Sequence, residues 1–414
     1  MKTAYTITRL TLAICLLAAC TKDQIRRHYT FFRPVYSTKE AVRANVKSNA
    51  VQPMVNPGKI FYKDGYLFVS ELDKGVHVIN ATNPAQPRQV AFVNIPGCID
   101  LAVRGNILYA DMYTDLIAID ITNPDAVKLE KVLEGVFPHR RYDYFTPDTS
   151  KIITNWVRVD TVVNHAERGF GWGAILREVT FLASTNTGAQ GGISNGQGGS
   201  MARFALASDR LYTVSNTDLK TFNVAQPQMP AYVKTTQLGG WNIETIFPFG
   251  QSLFIGTMQG MLIYDITNKD NPSYLSKFEH ATVCDPVITD GIHAYITLRD
   301  GTECRGFTNQ LDIVDVRNLR APYKISSWPM TNPHGLAKDG NLLLVCEGKS
   351  GLKILNVAQP TQVSTLSTLT GMETYDVLAL NGYAAVVAKD GLYMINYTQP
   401  AQPVITATIK LASK

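Results

Sequence analysis

Five side chains that can bind or move charge stand at one offset in this sequence. Lys59, Glu244, Asp285, His334 and Asp376 each lie six residues before a glycine between two apolar runs, at Gly65, Gly250, Gly291, Gly340 and Gly382. Three carboxylates, an imidazole and an ammonium brought together could hold a cation or a polar ligand. Acid–base catalysis needs paired groups with displaced pKa values, and such a set could also supply them. The plain alternative is a group of polar residues solvated at a wet opening. In two further units the same offset gives Ile99 and Ala202, the second with Ser208 in place of the glycine. No metal is specified by these residues and no cofactor motif accompanies them: G-x-x-x-x-G-K-[ST], H-E-x-x-H and C-x-x-C are all missing.

The elements that would position this set follow from an internal repeat. Gly65-Tyr-Leu-Phe-Val-Ser70 leads to Gly75-Val-His-Val-Ile-Asn80 and then Ala-Thr-Asn-Pro84. The third part recurs as Leu116–Asp120, Leu219–Asn223, Met261–Asp265, Leu311–Asp315, Leu352–Asn356 and Leu392–Asn396. From Asn80 to Asn396 the closing Asn or Asp residues are spaced by 40, 103, 42, 50, 41 and 40. A period near forty is that of a four-stranded propeller blade. β-Branched and aromatic residues dominate the runs, and no long stretch has helical periodicity. The Asn or Asp oxygen can accept the backbone N–H two residues on, and the following proline presets φ and withholds a ladder donor. A fourth strand follows, as in Arg88–Val93 and Pro403–Ile409.

Leu-x-Ile-x-Asp strands followed by Thr-Asn-Pro or Ala-Gln-Pro resemble the LVIVD-repeat family of bacterial extracytoplasmic propellers. The resemblance covers about residues 58–411 with seven matched units, Leu219-Lys-Thr-Phe-Asn223 being the weakest. It implies an all-β propeller of four-stranded antiparallel blades. It transfers no catalytic residue, because the family is defined by a repeat rather than a reaction.

The spacing of 103 calls for an insertion, about 139–200, or for an eighth, degenerate blade. Arg141–Thr146 and Lys151–Val163 read as a long hairpin, and Trp156-Val-Arg-Val-Asp160 mimics the repeat. Seven blades are favoured because this stretch lacks the Asx-x-x-x-Pro turn. The run from Gly188 to Gly199 lacks the lysine and the strand-to-helix setting of a phosphate cradle and reads as a mobile loop.

In such a ring the innermost strand starts on the same face as the loop joining the second and third strands. Lys59, Glu244, Asp285, His334 and Asp376 should therefore ring the upper mouth of the channel, with the Asn-Pro turns below. Cys284 and Cys304 fall on that upper face within one blade, and a disulfide between them is expected in an oxidising compartment. Cys98 and Cys346 belong to distant units and should be free, partly buried thiols. His77 reads as a packed blade residue rather than a base. Trp172 and Trp241 are candidate sugar platforms, Trp241 fitting better between blades.

The N-terminus has a positive start, Lys2 and Arg9, an apolar run from Leu10 to Ala19, and then Leu17-Ala18-Ala19-Cys20. That ending resembles the lipobox of bacterial lipoproteins, which implies cleavage before Cys20, lipidation of its sulfur and acylation of the new amino group; the alternative is an ordinary secretory peptide. The expected organisation is a signal peptide (1–19), a lipid-anchored tether with an N-terminal segment (20–57) and the propeller (58–411). Lys22-Asp23 faintly resembles the export signals of surface lipoproteins, and Arg26-Arg27-His28 reads as a solvated tether able to meet lipid head groups. The formal charge of +5 falls to +3 without Lys2 and Arg9, and no basic, aromatic-interleaved patch points to nucleic acid. The expected partners are the membrane through Cys20 and a protein or glycan. The leading expectation is a non-catalytic binding module at the outer membrane using long upper-face loops. A polysaccharide hydrolase or lyase, and a structural subunit of an envelope complex, remain open.

Overall fold

The computed structural model describes residues 25–140, 142, 145–165, 197–200, 202–239, 243–279, 286–299 and 309–412, with backbone alone for 25–29 and 162–165. Cys20, Trp172, Trp241, Cys284, Asp285 and Cys304 lie outside the described residues. The chain divides into two units: Met1–Thr38 with Arg141–Leu182, and Lys39–Arg140 with Ala183–Lys414.

The larger unit holds seven antiparallel blades, each built from four consecutive strands: 57–94, 101–133, 204–237, 243–279, 287–329, 336–369 and 374–410. First strands of neighbouring blades touch all the way round, and that of blade 7 touches that of blade 1. The ring therefore closes with seven. The middle strands of each blade are buried on both faces, as in Ile107–Met112 and Gly260–Asp265. This explains why they read as continuous apolar runs rather than alternating ones. Pairing of the third and fourth strands slips at the same place in every blade, for example between Val78 and Ile79 and between Met394 and Ile395. Such a bulge adds local twist.

All seven lower turns use the expected Asx chemistry. Asn80, Asp120, Asn223, Asp265, Asp315, Asn356 and Asn396 each accept the backbone N–H two residues on, at 2.7 to 3.0 Å. The carbonyl four residues after that Asx is where neighbouring blades are joined. Hydroxyls of Ser48, Tyr109, Tyr212, Ser276, Ser326 and Ser367 donate to the carbonyls of Pro124, Pro227, Lys269, Leu319, Pro360 and Pro400, at 2.5 to 2.8 Å. These bonds cross six junctions. At the seventh, between blades 7 and 1, Ala407 occupies the position of Ser276, Ser326 and Ser367, as its pairing with Met394 shows. That seam carries apolar packing of Met54, Ile60, Leu67 and Val69 against Leu378, Val387 and Met394, with the buried charges of Lys59 and Asp376 on either side. Among the described residues one backbone bond joins its ends, from Ala412 N–H to the Met54 carbonyl at 2.8 Å.

One expectation about the flanking segments is corrected. Ile152–His165 does not pair with 141–146; it forms a two-stranded antiparallel sheet with Ile25–Ser37. Around 142–146 the described residues show one isolated bridge, Tyr142 with Phe145, whose rings pack against Trp156. The described part of the N-terminal segment begins with that strand, Ile25–Ser37. After that strand come a short helix, Lys39–Arg43, and a strand, Lys47–Asn49, which pairs with the outer strand of blade 1.

Candidate functional site

Blade 1 has a further strand on its inner side. Gln197 and Gly198 pair with Tyr62 and Phe61 of the first strand, and Gly199 N–H donates to the Ile60 carbonyl at 2.8 Å. The end of the glycine-rich run is thus an ordered strand beside the innermost strand of the ring rather than loop. From there Ser200 accepts the Leu336 N–H of blade 6 through its hydroxyl at 2.8 Å. Ala202 accepts Ile246 N–H of blade 4, and Arg203 N–H donates to Asp100 Oδ2 of blade 2 at 2.6 Å. Four blades are tied together by a few residues of their own chain. Glycine is required here by space: a Cβ at Gly199 or at Gly335 would overlap the Asp376 carboxylate.

The expected ring forms in part and is not wet. Lys59, His334 and Asp376 are 3%, 7% and 1% exposed, whereas Glu244 is half-buried. Burial pushes the Lys59 ammonium down to about 8, against the pull of Asp100, Asp376 and Glu244, with Arg203 adding to the decrease. Lys59, Glu244 and Asp376 therefore belong to one charge cluster. His334 faces elsewhere: Arg299 Nη1 lies 3.1 Å from its Nδ1, and Asn332 Nδ2 lies 3.3 Å from its Nε2. Burial and the Arg299 guanidinium push this imidazole down to about 3, which favours the neutral ring with a single acceptor nitrogen. Among the described residues no three His, Cys, Asp or Glu side chains are grouped to hold a metal ion.

Two members of the cluster, Asp100 and Arg203, escaped the sequence argument by one position. The fixed offset gave Ile99 and Ala202, and the charges stand on the next residue. Asp100 accepts the N–H groups of Leu101 and Arg203, and burial raises its pKa despite Lys59. Beside it, Asp111 Oδ1 accepts the N–H groups of Ile99 and Asp100 at 2.8 and 2.7 Å. Burial, with Asp100 adding, raises Asp111 to about 7. A comparable brace without that rise occurs in blade 1. There Glu71 accepts the N–H groups of Val55 and Asn56 and meets His77 Nε2 at 3.1 Å. Burial opposes ionisation of Glu71, yet the His77 contact and the two N–H groups hold its pKa below the usual range. His77 is thus a packed blade residue.

Cys98 and Cys346 are free and fully buried, with thiols pushed well up by burial. The expected partial exposure is not seen, so neither thiol should react with an alkylating reagent while the fold is intact. The glycine-rich run also contains Gly192-Ile-Ser-Asn-Gly196, a spacing shared with nucleophile elbows. That spacing has meaning only on a strand-to-helix turn, and these residues lie outside the described ones.

The family model of the LVIVD repeat matches residues 98–131, the second blade with its lead-in. The chain carries an LVIVD repeat. No curated protein matches the sequence. Solved structures share the fold of this LVIVD-repeat propeller at low identity. A protein from Lactobacillus plantarum is 11% identical with a TM-score of 0.54, over 86% of this chain and 97% of that one. Sqt1 of Saccharomyces cerevisiae is 7% identical with a TM-score of 0.52, over 88% and 89%. The computationally designed Ika8 protein is 9% identical with a TM-score of 0.52, over 86% and 89%.

Proposed function

We propose that this chain is an exported propeller, anchored in the bacterial outer membrane by lipid on Cys20, that binds a protein or glycan of the cell envelope and does not transform it. The observation that carries this reading is the use of the inner polar groups. Asp100 accepts the Arg203 N–H, the Asp376 carboxylate lies against Gly199, Ser200 accepts the Leu336 N–H, and Lys59 is held in the field of Asp100 and Asp376. A catalytic pair must reach a substrate atom. Groups that enclose their own backbone are poorly placed for that, and recognition then falls to loops on a rigid ring.

The test has two arms. Cells fed an alkyne-tagged fatty acid should label the wild-type chain and not Cys20→Ser, and the variant should leave the membrane fraction. The full chain in mild detergent, incubated with envelope polysaccharides, should retain a ligand whose mass is unchanged after hours. A product that accumulates with wild type and disappears with Glu244→Ala would instead establish the hydrolase or lyase.

A further inference from the structure

The seam between blades 7 and 1 differs from the other junctions on its upper side too. At five of the other junctions a few residues lead from one blade into the next, as 95–100 do between blades 1 and 2, and between blades 2 and 3 residues 134–203 intervene. Blades 7 and 1 are not consecutive in sequence, and the space between them is a hollow of about 570 Å³. Its apolar surface comes from Val55, Pro57, Ala388 and Leu411, with the ring of Tyr375. The Tyr375 hydroxyl is committed to Glu373 Oε1 at 3.2 Å, which leaves the ring as a wall.

Two ammonium groups also line this hollow. Lys389 Nζ lies 2.8 Å from Glu373 Oε2. Lys410 is exposed and makes no ion pair among the described residues. Asn56 and Asp390 add polar atoms to the lining, and Asp390 already accepts the Tyr393 hydroxyl at 2.6 Å. The volume is that of a small-ligand site, in which apolar walls bind the body and a few polar groups set orientation. An aromatic wall suits the C–H face of a sugar ring. Lys410 suits an acid group through charge-assisted hydrogen bonds, and Lys389, with one of its three donors on Glu373, has donors left for the same group.

We propose that this hollow binds a small acidic ligand, of the size of a mono- or disaccharide, whose anionic group meets Lys410 and Lys389 while its body rests on Tyr375, Pro57 and Leu411. The proposal rests on the reading of the chain as a binding module and names the ligand chemistry of one site. Such a ligand touches both blades, so it also closes the seam that no hydroxyl bond crosses.

The experiment follows thermal unfolding of the full chain in detergent with glucuronate, glucose 6-phosphate or glucose at 10 mM on the order of a weak sugar's affinity. Either acid should raise the midpoint and glucose should not, the larger rise showing whether carboxylate or phosphate is the preferred anion. The rise should shrink with added salt. Calorimetric titration should give binding at least about ten-fold weaker for Lys410→Ala and for Lys389→Ala, a change of about 1.4 kcal/mol. Both variants should unfold at the wild-type temperature without ligand, and Lys128→Ala, on blade 2, should bind normally. Equal shifts with glucose and the acids, or acid binding that survives the double lysine variant, would overturn the proposal. If no acid binds while an envelope ligand is still retained, the pocket falls and the binding-module reading stands.

Discussion

Six junctions of the ring and the seventh are built from the same repeat but held by different physics. At six, a hydroxyl reaches the carbonyl four residues after the neighbouring Asx. The donor is a serine of the fourth strand in blades 4 to 6, a tyrosine of the second strand in blades 2 and 3, and Ser48 of an added strand in blade 1. The acceptor is constant while the donor is not. What the fold keeps is the carbonyl that the Asx turn presents, and any residue that can reach it serves. At the seam the equivalent residue is Ala407, and among the described residues cohesion comes from apolar burial, one backbone bond and the buried charges of Lys59 and Asp376. Apolar packing is non-directional, so the seam should be the junction most tolerant of small displacement and the one where the ring first opens on heating.

The largest expected effect contrasts the seam with the upper side of the 1/2 junction, where Asp111 is buried and raised to about 7. The unfolded chain would release this proton near the ordinary aspartate pKa, so the folded state binds more protons in between. Its stabilising share is full below about pH 4, is lost as pH rises to about 7, and is constant above, in total about 4 kcal/mol at 1.36 kcal/mol per unit. Asp111→Asn keeps an oxygen for the N–H groups of Ile99 and Asp100, which both use Oδ1. Urea unfolding from pH 4 to 9 should show wild type weakening across that window and the variant nearly flat, with a residual slope from Asp100. A wild-type curve that is level there would remove the claim that this junction is pH-sensitive. Next in size is the seam itself: Met54→Ala, at a fully buried position, should cost about 3 kcal/mol. It should speed hydrogen exchange in blades 1 and 7 before blade 4, and uniform acceleration would argue against a weak seam.

The sequence could be read where the deciding chemistry is local. All seven Asx turns form because the acceptor and the N–H are two residues apart and no distant partner is needed; five also carry a proline four residues on, where Asp265 and Asp315 are followed by Lys269 and Leu319. The partner of Ile152–His165 was not legible for the opposite reason. Thr30 and Asp160, which bond across that sheet, are 130 residues apart, and alternation in one strand does not name its neighbour. The charge cluster lay between these cases. Counting back from the glycine turn gave Lys59, Glu244 and Asp376, which share one charge cluster, but in blades 2 and 3 the charges sit one residue later, at Asp100 and Arg203. A fixed offset fails there because the first strands begin later, at Leu101 and Phe204. The misreading of Gly198 and Gly199 has a different source. Glycine serves equally for a loose loop and for close approach of backbone to a packed group, and composition cannot separate the two.

Smaller effects come from the hydroxyl bonds, and one of them can be run in reverse. Tyr212→Phe removes the bond to the Lys269 carbonyl while keeping the ring, and should cost about 1 kcal/mol, the net worth of an ordinary hydrogen bond. Ala407→Ser should do the converse. The residue is half-buried, it occupies the position from which Ser276, Ser326 and Ser367 donate, and its acceptor by analogy is the carbonyl of Pro84, four residues after Asn80. The added oxygen enters a place where three other blades already accommodate one, so little strain is expected. The net gain should be about 0.5–1 kcal/mol, read as a higher denaturant midpoint at unchanged m-value. The same substitution should slow exchange of amides on both sides of the seam and leave blade 4 alone. If Ala407→Ser is neutral or destabilising, the seam is a differently shaped junction, and the contrast drawn with the other six is one of geometry rather than of a missing donor.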